Sequence, residues 1–107
     1  MRPFVFASLL AVALVAPSFA DDAEVTITLK DHQFDPSEVP VPAGVKLKLL
    51  VKNDQTVTAE FESNSLHREK IVEPGSTIIV YVGPLDPGSY EFFDDFHNST
   101  RGHLIAK

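Results

Sequence analysis

The 107-residue sequence contains no cysteine and no tryptophan, and its single methionine is Met1. Without cysteine there is no disulfide to brace the chain, no zinc ribbon and no thiolate to ligate a metal. Past Met1 there is no thioether either, so soft sulfur ligands are missing from the rest of the chain. Basic residues are scarce: nine Lys and Arg stand against fifteen Asp and Glu, a formal charge of −6. From Asp21 onward the balance is eight against fifteen, or −7. Phosphate-backbone binding needs the opposite sign, so no nucleic-acid partner is expected. No Gly-x-Ser-x-Gly elbow occurs, and so short a chain leaves no room for a substrate pocket beside a nucleophilic triad.

What the sequence does have begins with an apolar leader. Arg2 gives a short positive start and residues 4–16 are almost unbroken hydrocarbon. Ala16-Pro17-Ser18-Phe19-Ala20 then sets small residues at Ser18 and Ala20, just before Asp21-Asp22. This three-part pattern predicts a signal peptide over residues 1–20, cleaved after Ala20, and one domain over residues 21–107. The run is shorter than the ~20 residues that a spanning helix needs. The expected location is the periplasm, with the mature chain soluble.

Beyond the leader, apolar and polar residues alternate. Val25, Ile27 and Leu29 interleave with Thr26, Thr28 and Lys30, as do Val45, Leu47, Leu49 and Val51 with Lys46, Lys48 and Lys52. Period two predicts half-buried strands. Residues 58–63 repeat it, with Ala59 and Phe61 inward and Glu60 and Glu62 outward; residues 77–82 place Ile78, Val80 and Val82 on one side. Shorter strands are expected at 71–72, 90–93 and 104–106, and at 38–41, where Pro36, Pro40 and Pro42 restrict the segment to a sheet edge. No helical apolar period of ~3.6 residues persists. The whole predicts an all-β fold, an antiparallel Greek-key β-sandwich or barrel. In Asp86-Pro87-Gly88-Ser89-Tyr90 the tyrosine follows a Pro-Gly corner, which predicts that its hydroxyl bonds back to the connecting backbone.

Two segments, residues 60–70 and 93–103, are more polar than a sandwich needs in order to fold. Asp94 and His97 form an Asp-x-x-His unit at the end of a strand, a spacing from which a carboxylate and an imidazole can converge on one cation if the loop curls back. Alternation puts Tyr90, Phe92 and Asp94 on one face and turns Asp95 away. A carboxylate ending an apolar stripe is costly unless it is paired or metal-bound.

Asn53, Glu60-Phe61, Pro74-Gly75, Pro87-Gly88-Ser89-Tyr90-Glu91-Phe92, His97 and Gly102 together resemble the framework of the cupredoxins, over nearly the whole mature chain. The resemblance implies a Cys, a His and a Met after the Tyr-x-Phe strand, and an earlier His. Here Asp94 takes the cysteine position and His97 the histidine position; the methionine position falls within residues 99–101 and the early histidine at or beside Glu60. With sulfur missing, the blue-copper site and its electron transfer are not expected. Glu60-Phe61-Glu62-Ser63, Arg68-Glu69-Lys70, Gly83-Pro84-Leu85 and Asp95-Phe96-His97 look most like the small cupredoxin-like proteins that accompany bacterial ferrous-iron permeases. That resemblance implies capture of Fe(II) before transport. It leaves ferroxidase-like oxidation open, and it implies two partners, an inner-membrane iron permease and a second periplasmic iron-binding protein.

The candidate ligands are Asp94, His97, Glu60, Asp95, Glu62 and Glu69, with His67 and His103 behind them. Each has an ordinary alternative. Asp94 can cap a turn, Glu60 and Glu62 can be a solvated strand face, Glu69 can pair with Arg68 or Lys70, and the histidines can be surface residues. His32 is read as structural, and Phe93 and Phe96 as walls. Carboxylate and imidazole donors suit Fe(II), Fe(III) and Mn(II) and tolerate Cu(II), and anionic oxygens favour Fe(III) over Fe(II). Three functions follow: an iron-uptake component, a copper-binding or copper-buffering protein without catalysis, and a metal-free sandwich for protein contacts.

Overall fold

The computed structural model describes residues 23–107, so the expected leader and its cleavage point lie outside the described residues. Nine strands follow one another: β1 (Ala23–Lys30), β2 (Gln33–Asp35), β3 (Glu38–Val41), β4 (Leu47–Asn53), β5 (Ala59–Ser63), β6 (Arg68–Val72), β7 (Thr77–Val82), β8 (Gly88–Asp94) and β9 (His97–Ala106). They form two sheets, β2-β1-β4-β7 and β3-β9-β8-β5-β6. The all-β sandwich read from the alternation is the observed fold.

The sheets are mixed, whereas antiparallel ones were expected. β1 pairs parallel with β4, and β3 parallel with β9. Alternation reports which face of a strand is buried and is silent on which strand lies beside it. The chain passes to the opposite sheet between β2 and β3 and returns between β3 and β4, which brings β4 in alongside β1.

Two strands escaped the sequence pattern. β2 is only three residues long, with Phe34 alone buried, too short to show a period. It is set by the turn before it. Asp31 and His32 both have left-handed backbone (φ 52° and 58°) between paired Lys30 and Gln33, the conformation a two-residue hairpin favours. β9 begins at His97, well before 104. Its first half carries Asn98, Ser99, Thr100 and Arg101 and so reads as loop, yet it pairs with β8. The register breaks between Phe93, opposite Arg101, and Asp94, opposite His97. Three extra β9 residues are accommodated there, and Thr100 is among them, buried.

Phe34, Phe61 and Phe92 meet at the centre, with Phe34 edge-on to Phe92 at 4.9 Å between centroids and Phe61 tilted on Phe92 at 5.3 Å. Burial of each ring is worth about 2–3 kcal/mol. Gly102 makes room for this cluster, because a Cβ there would lie 2.7 Å from the Phe92 ring and 2.8 Å from the Ser37 carbonyl oxygen. Asn53 is fully buried and fully used: Nδ2 donates to the carbonyls of Val57 (2.8 Å) and Val72 (2.9 Å), and Oδ1 accepts from Gln55. The Tyr90 hydroxyl donates to the Asp86 carbonyl at 2.8 Å, the expected corner. At the open side of the sandwich, Arg68 and Lys70 of β6 donate to the carbonyls of Tyr81 (3.0 Å) and Ile79 (3.3 Å) on β7, which blunts that edge.

Candidate metal centre

Glu60 and Glu62 project outward because Ala59, Phe61 and Ser63 are drawn into the core. Antiparallel pairing sets Glu69 directly opposite Glu62 and Ile71 opposite Glu60. On the other flank β5 meets β8 only at its end, Phe61 with Asp94 and Glu62 with Phe93, so the β8–β9 turn closes over Glu60. The Asp95 N–H donates to the Glu60 carbonyl at 2.9 Å. One carboxylate oxygen each of Glu60, Glu62 and Asp95 thereby comes within 4.8 Å of the others.

Like charges held this close resist ionisation. Glu60 is pushed up from its ordinary value of 4.5 to about 7, first by desolvation, then by its hydrogen bond with Asp95, then by the charges of Glu69, Asp95 and Glu62. Glu62 is also raised, by desolvation and by the charges of Asp95 and Glu69. A cation placed among these oxygens would remove that repulsion.

Asp94 does not join the trio. It points inward as the alternation predicts, 2% exposed, and its Oδ1 accepts the backbone N–H groups of Glu60 and Phe96, each at 3.0 Å. The cost of a carboxylate at the end of an apolar stripe is met by those two donors. Asp94 is thus the clamp that holds the turn, and with it Asp95, against β5.

His97 is the cross-strand partner of Asp94, but its ring faces other groups. Its Nδ1 lies 2.7 Å from Thr100 Oγ1, and its ring stacks on His32 at 3.9 Å with 15° between planes. Thr100, 2% exposed, donates its only hydroxyl proton to the His32 carbonyl at 2.7 Å. The hydroxyl must therefore accept from His97, which fixes Nδ1 as the protonated nitrogen and leaves the Nε2 lone pair open. The link to His32 is invisible in sequence, since it depends on the β1–β2 turn and the β9 irregularity together; the adjacent Asp31-His32 pair between two short apolar segments was the one available signal.

The remaining candidates divide. His67, exposed and left-handed (φ 57°), lines a cleft with Glu62, Asn64, Arg68 and Glu69, beside the trio. Glu69 borders the trio through Glu62. His103 stands apart, its two nitrogens 3.9 Å from Glu38 and 3.7 Å from Glu91. Of the expected walls, Phe93 is buried under Arg101 and Phe96 is exposed.

The thiolate copper centre does not fit these residues. The described chain has no sulfur ligand, and the Asp94 oxygen at the cysteine position is already bonded to backbone. What the arrangement can offer is a hard, anionic oxygen set at Glu60, Glu62 and Asp95, with one open imidazole nitrogen on the same turn.

Comparisons with known proteins agree on the frame. The chain is 51% identical over 84 residues to an uncharacterized protein of Rickettsia prowazekii, covering 78% of this chain and 67% of that protein. The metal-binding domain of the Cu(I)-exporting P-type ATPase CopA of Streptococcus pneumoniae, solved with Cu(I), superposes with a TM-score of 0.71 at 11% identity, over 84% of this chain and 91% of that one. Auracyanin A, a "blue" copper protein of Chloroflexus aurantiacus, gives 0.68 at 16%, over 81% and 100%. A purple cupredoxin of Nitrosopumilus maritimus gives 0.59 at 16%, over 80% and 100%. At such identities these structures speak to the fold alone. The sequence profile of the cupredoxin-like domain matches residues 3–106, and by that match, joined to the sandwich described above, the chain belongs to the cupredoxin-like domain family.

Proposed function

We propose that this protein is an exported carrier that takes up ferrous iron at Glu60, Glu62 and Asp95 and passes it to an inner-membrane permease. The observation that carries the reading is the set of three carboxylates within 4.8 Å, beside which Glu60 is raised to about 7, first by desolvation and then by Asp95 and the neighbouring glutamates. Such a set binds a hard cation and gains by it. Being all oxygen and anionic, it also favours Fe(III), so bound Fe(II) becomes easier to oxidise by any acceptor supplied to it. Export to the periplasm rests on the leader pattern of residues 1–20. The permease and a second periplasmic iron-binding protein rest on the Glu-Phe-Glu-Ser and Asp-Phe-His resemblance.

The test is anaerobic titration with Fe(II), and in parallel with Mn(II), followed by calorimetry. Glu62→Gln and Asp95→Asn should each weaken binding tenfold or more, about 1.4 kcal/mol. Unchanged isotherms in folded variants would remove the site. A second reading, copper binding, is favoured by the open Nε2 of His97. Cu(II) outranks Fe(II) at most nitrogen–oxygen sites. Its mark would be imidazole nitrogen coupling in the Cu(II) paramagnetic resonance spectrum, lost in His97→Ala, with no intense blue colour.

A further inference from the structure

The two outer faces of the sandwich carry different charge. The five-stranded sheet presents Glu60, Glu62, Glu69 and Glu91 to solvent. On the other sheet Leu47, Leu49, Val51, Val80 and Val82 are drawn into the core, so β4 and β7 turn out the cross-strand pairs Lys48–Tyr81, Leu50–Ile79 and Lys52–Thr77. None of those six outward positions holds a carboxylate, and the neighbouring strand β1 contributes one, Glu24, paired with Lys48 at 3.4 Å. Ile79 is 41% and Tyr81 46% exposed, and Lys46 sits beside them with Nζ 5.6 Å from the Tyr81 ring centroid. A chain of charge −7 from Asp21 onward has thus gathered three lysines, one of them paired with Glu24, an aromatic ring and two aliphatic side chains on one sheet face.

We propose that the β4–β7 face docks on a layer of anionic lipid headgroups. The choice of occupant follows from the residue types. Lysine is depleted from protein–protein interfaces, where arginine is preferred for its planar fork; β4 and β7 supply lysine alone, and the arginine at their edge, Arg68 of β6, is already engaged by the carbonyls of Tyr81, Leu66 and His67. Lysine and tyrosine are the pair that suits a membrane surface, each laying an apolar body along the acyl boundary and keeping a polar tip in the headgroups. Attraction between lysines and an anionic leaflet acts over about one Debye length, ~8 Å at physiological salt. Sheets in a sandwich pack ~10 Å apart, so the acidic face lies beyond that range and its charge is screened. Docked this way, the protein turns Glu60, Glu62 and Asp95 away from the bilayer, toward the ions in solution. The proposal rests on the β4–β7 face and stands whether or not those carboxylates bind iron.

The test is flotation of the exported protein with vesicles of phosphatidylglycerol and phosphatidylcholine in equal parts, against phosphatidylcholine alone. Wild type and variants share one N-terminus, so any N-terminal contribution is common to all. Binding should need phosphatidylglycerol and fall steeply with salt. Joint replacement of Lys46, Lys48 and Lys52 by Gln should weaken it on the order of a hundredfold. Tyr81→Ser should weaken it severalfold, while Arg101→Gln, on β9 of the opposite sheet, should not; circular dichroism checks that each variant is folded. Equal flotation with both vesicle types, or flotation indifferent to the three lysines, overturns the proposal. So does absence of flotation together with concentration-dependent self-association that the lysine replacements abolish, which would give the face to the acidic side of a second copy.

Discussion

Glu60 and Asp95 are tied through their backbones, the Asp95 N–H donating to the Glu60 carbonyl at 2.9 Å, and their carboxylates are thereby held within 4.8 Å of each other. Desolvation first, and then that proximity, favours the protonated form of Glu60. Glu60 sits at about 7 in the folded protein against an ordinary 4.5, so the folded state binds this proton more tightly than the unfolded chain. Its contribution to stability is therefore whole below 4.5 and is lost as the pH rises through about 7. The melting temperature of the metal-free protein should fall over that window, and Glu60→Gln should flatten the fall. A wild-type profile without the fall would contradict the strained cluster. Cation affinity should run the other way, rising through about 7 with proton release, which calorimetry in buffers of different ionisation enthalpy will detect.

Asp94 acts as an acceptor for two backbone donors, and its variants separate that task from ligation. Asp94→Ala leaves the N–H groups of Glu60 and Phe96 without partners and should cost about 2 kcal/mol or more in urea unfolding. Asp94→Asn retains an accepting oxygen and should cost less while leaving cation binding in place. Loss of binding in Asp94→Asn at undiminished stability would instead make Asp94 a ligand.

The Thr100 hydroxyl sets the tautomer of His97. Thr100→Val strands the His32 carbonyl, leaves the His97 Nδ1 proton only the longer contact with Ser99 Oγ at 3.4 Å, and should cost about 1–3 kcal/mol. In that variant the nitrogen shifts of His97 should move from a pure Nδ1–H form to a mixture of tautomers. Thr100→Ser should restore the pure form. A mixture already present in the wild type would show that the relay is not made.

Gly102 is a packing glycine. Gly102→Ala would drive a methyl to 2.7 Å from Phe92 and 2.8 Å from the Ser37 carbonyl, and that carbonyl accepts the His103 N–H that joins β9 to the start of β3. Overpacking of this kind costs about 1–3 kcal/mol. Equilibrium unfolding that matches the wild type would mean Phe92 can move aside without loss.

How much was legible in the sequence depended on the range of the interaction. Alternation named the inward residues of β1, β4, β5 and β7 correctly, turned Asp94 in and Asp95 out, and marked the Tyr90 corner, because side-chain facing is a local property of an extended chain. The polar half of β9 and the three-residue β2 read as loop, since their strand character comes from neighbours and not from their own period.

The sequence by itself determined the chemistry on offer, an acidic chain whose body has carboxylates and imidazoles but no sulfur, folded as a two-sheet sandwich. Only the tertiary structure decided which groups face one another. Asp94 went to the backbone, Glu60, Glu62 and Asp95 were drawn together by the β5–β8 pairing and the β8–β9 turn, and His97 was laid on His32, a residue sixty-five positions earlier. A ligand set depends on distances of a few ångströms between strands far apart in the chain, and those distances are fixed by sheet order and register, which no period along one strand encodes.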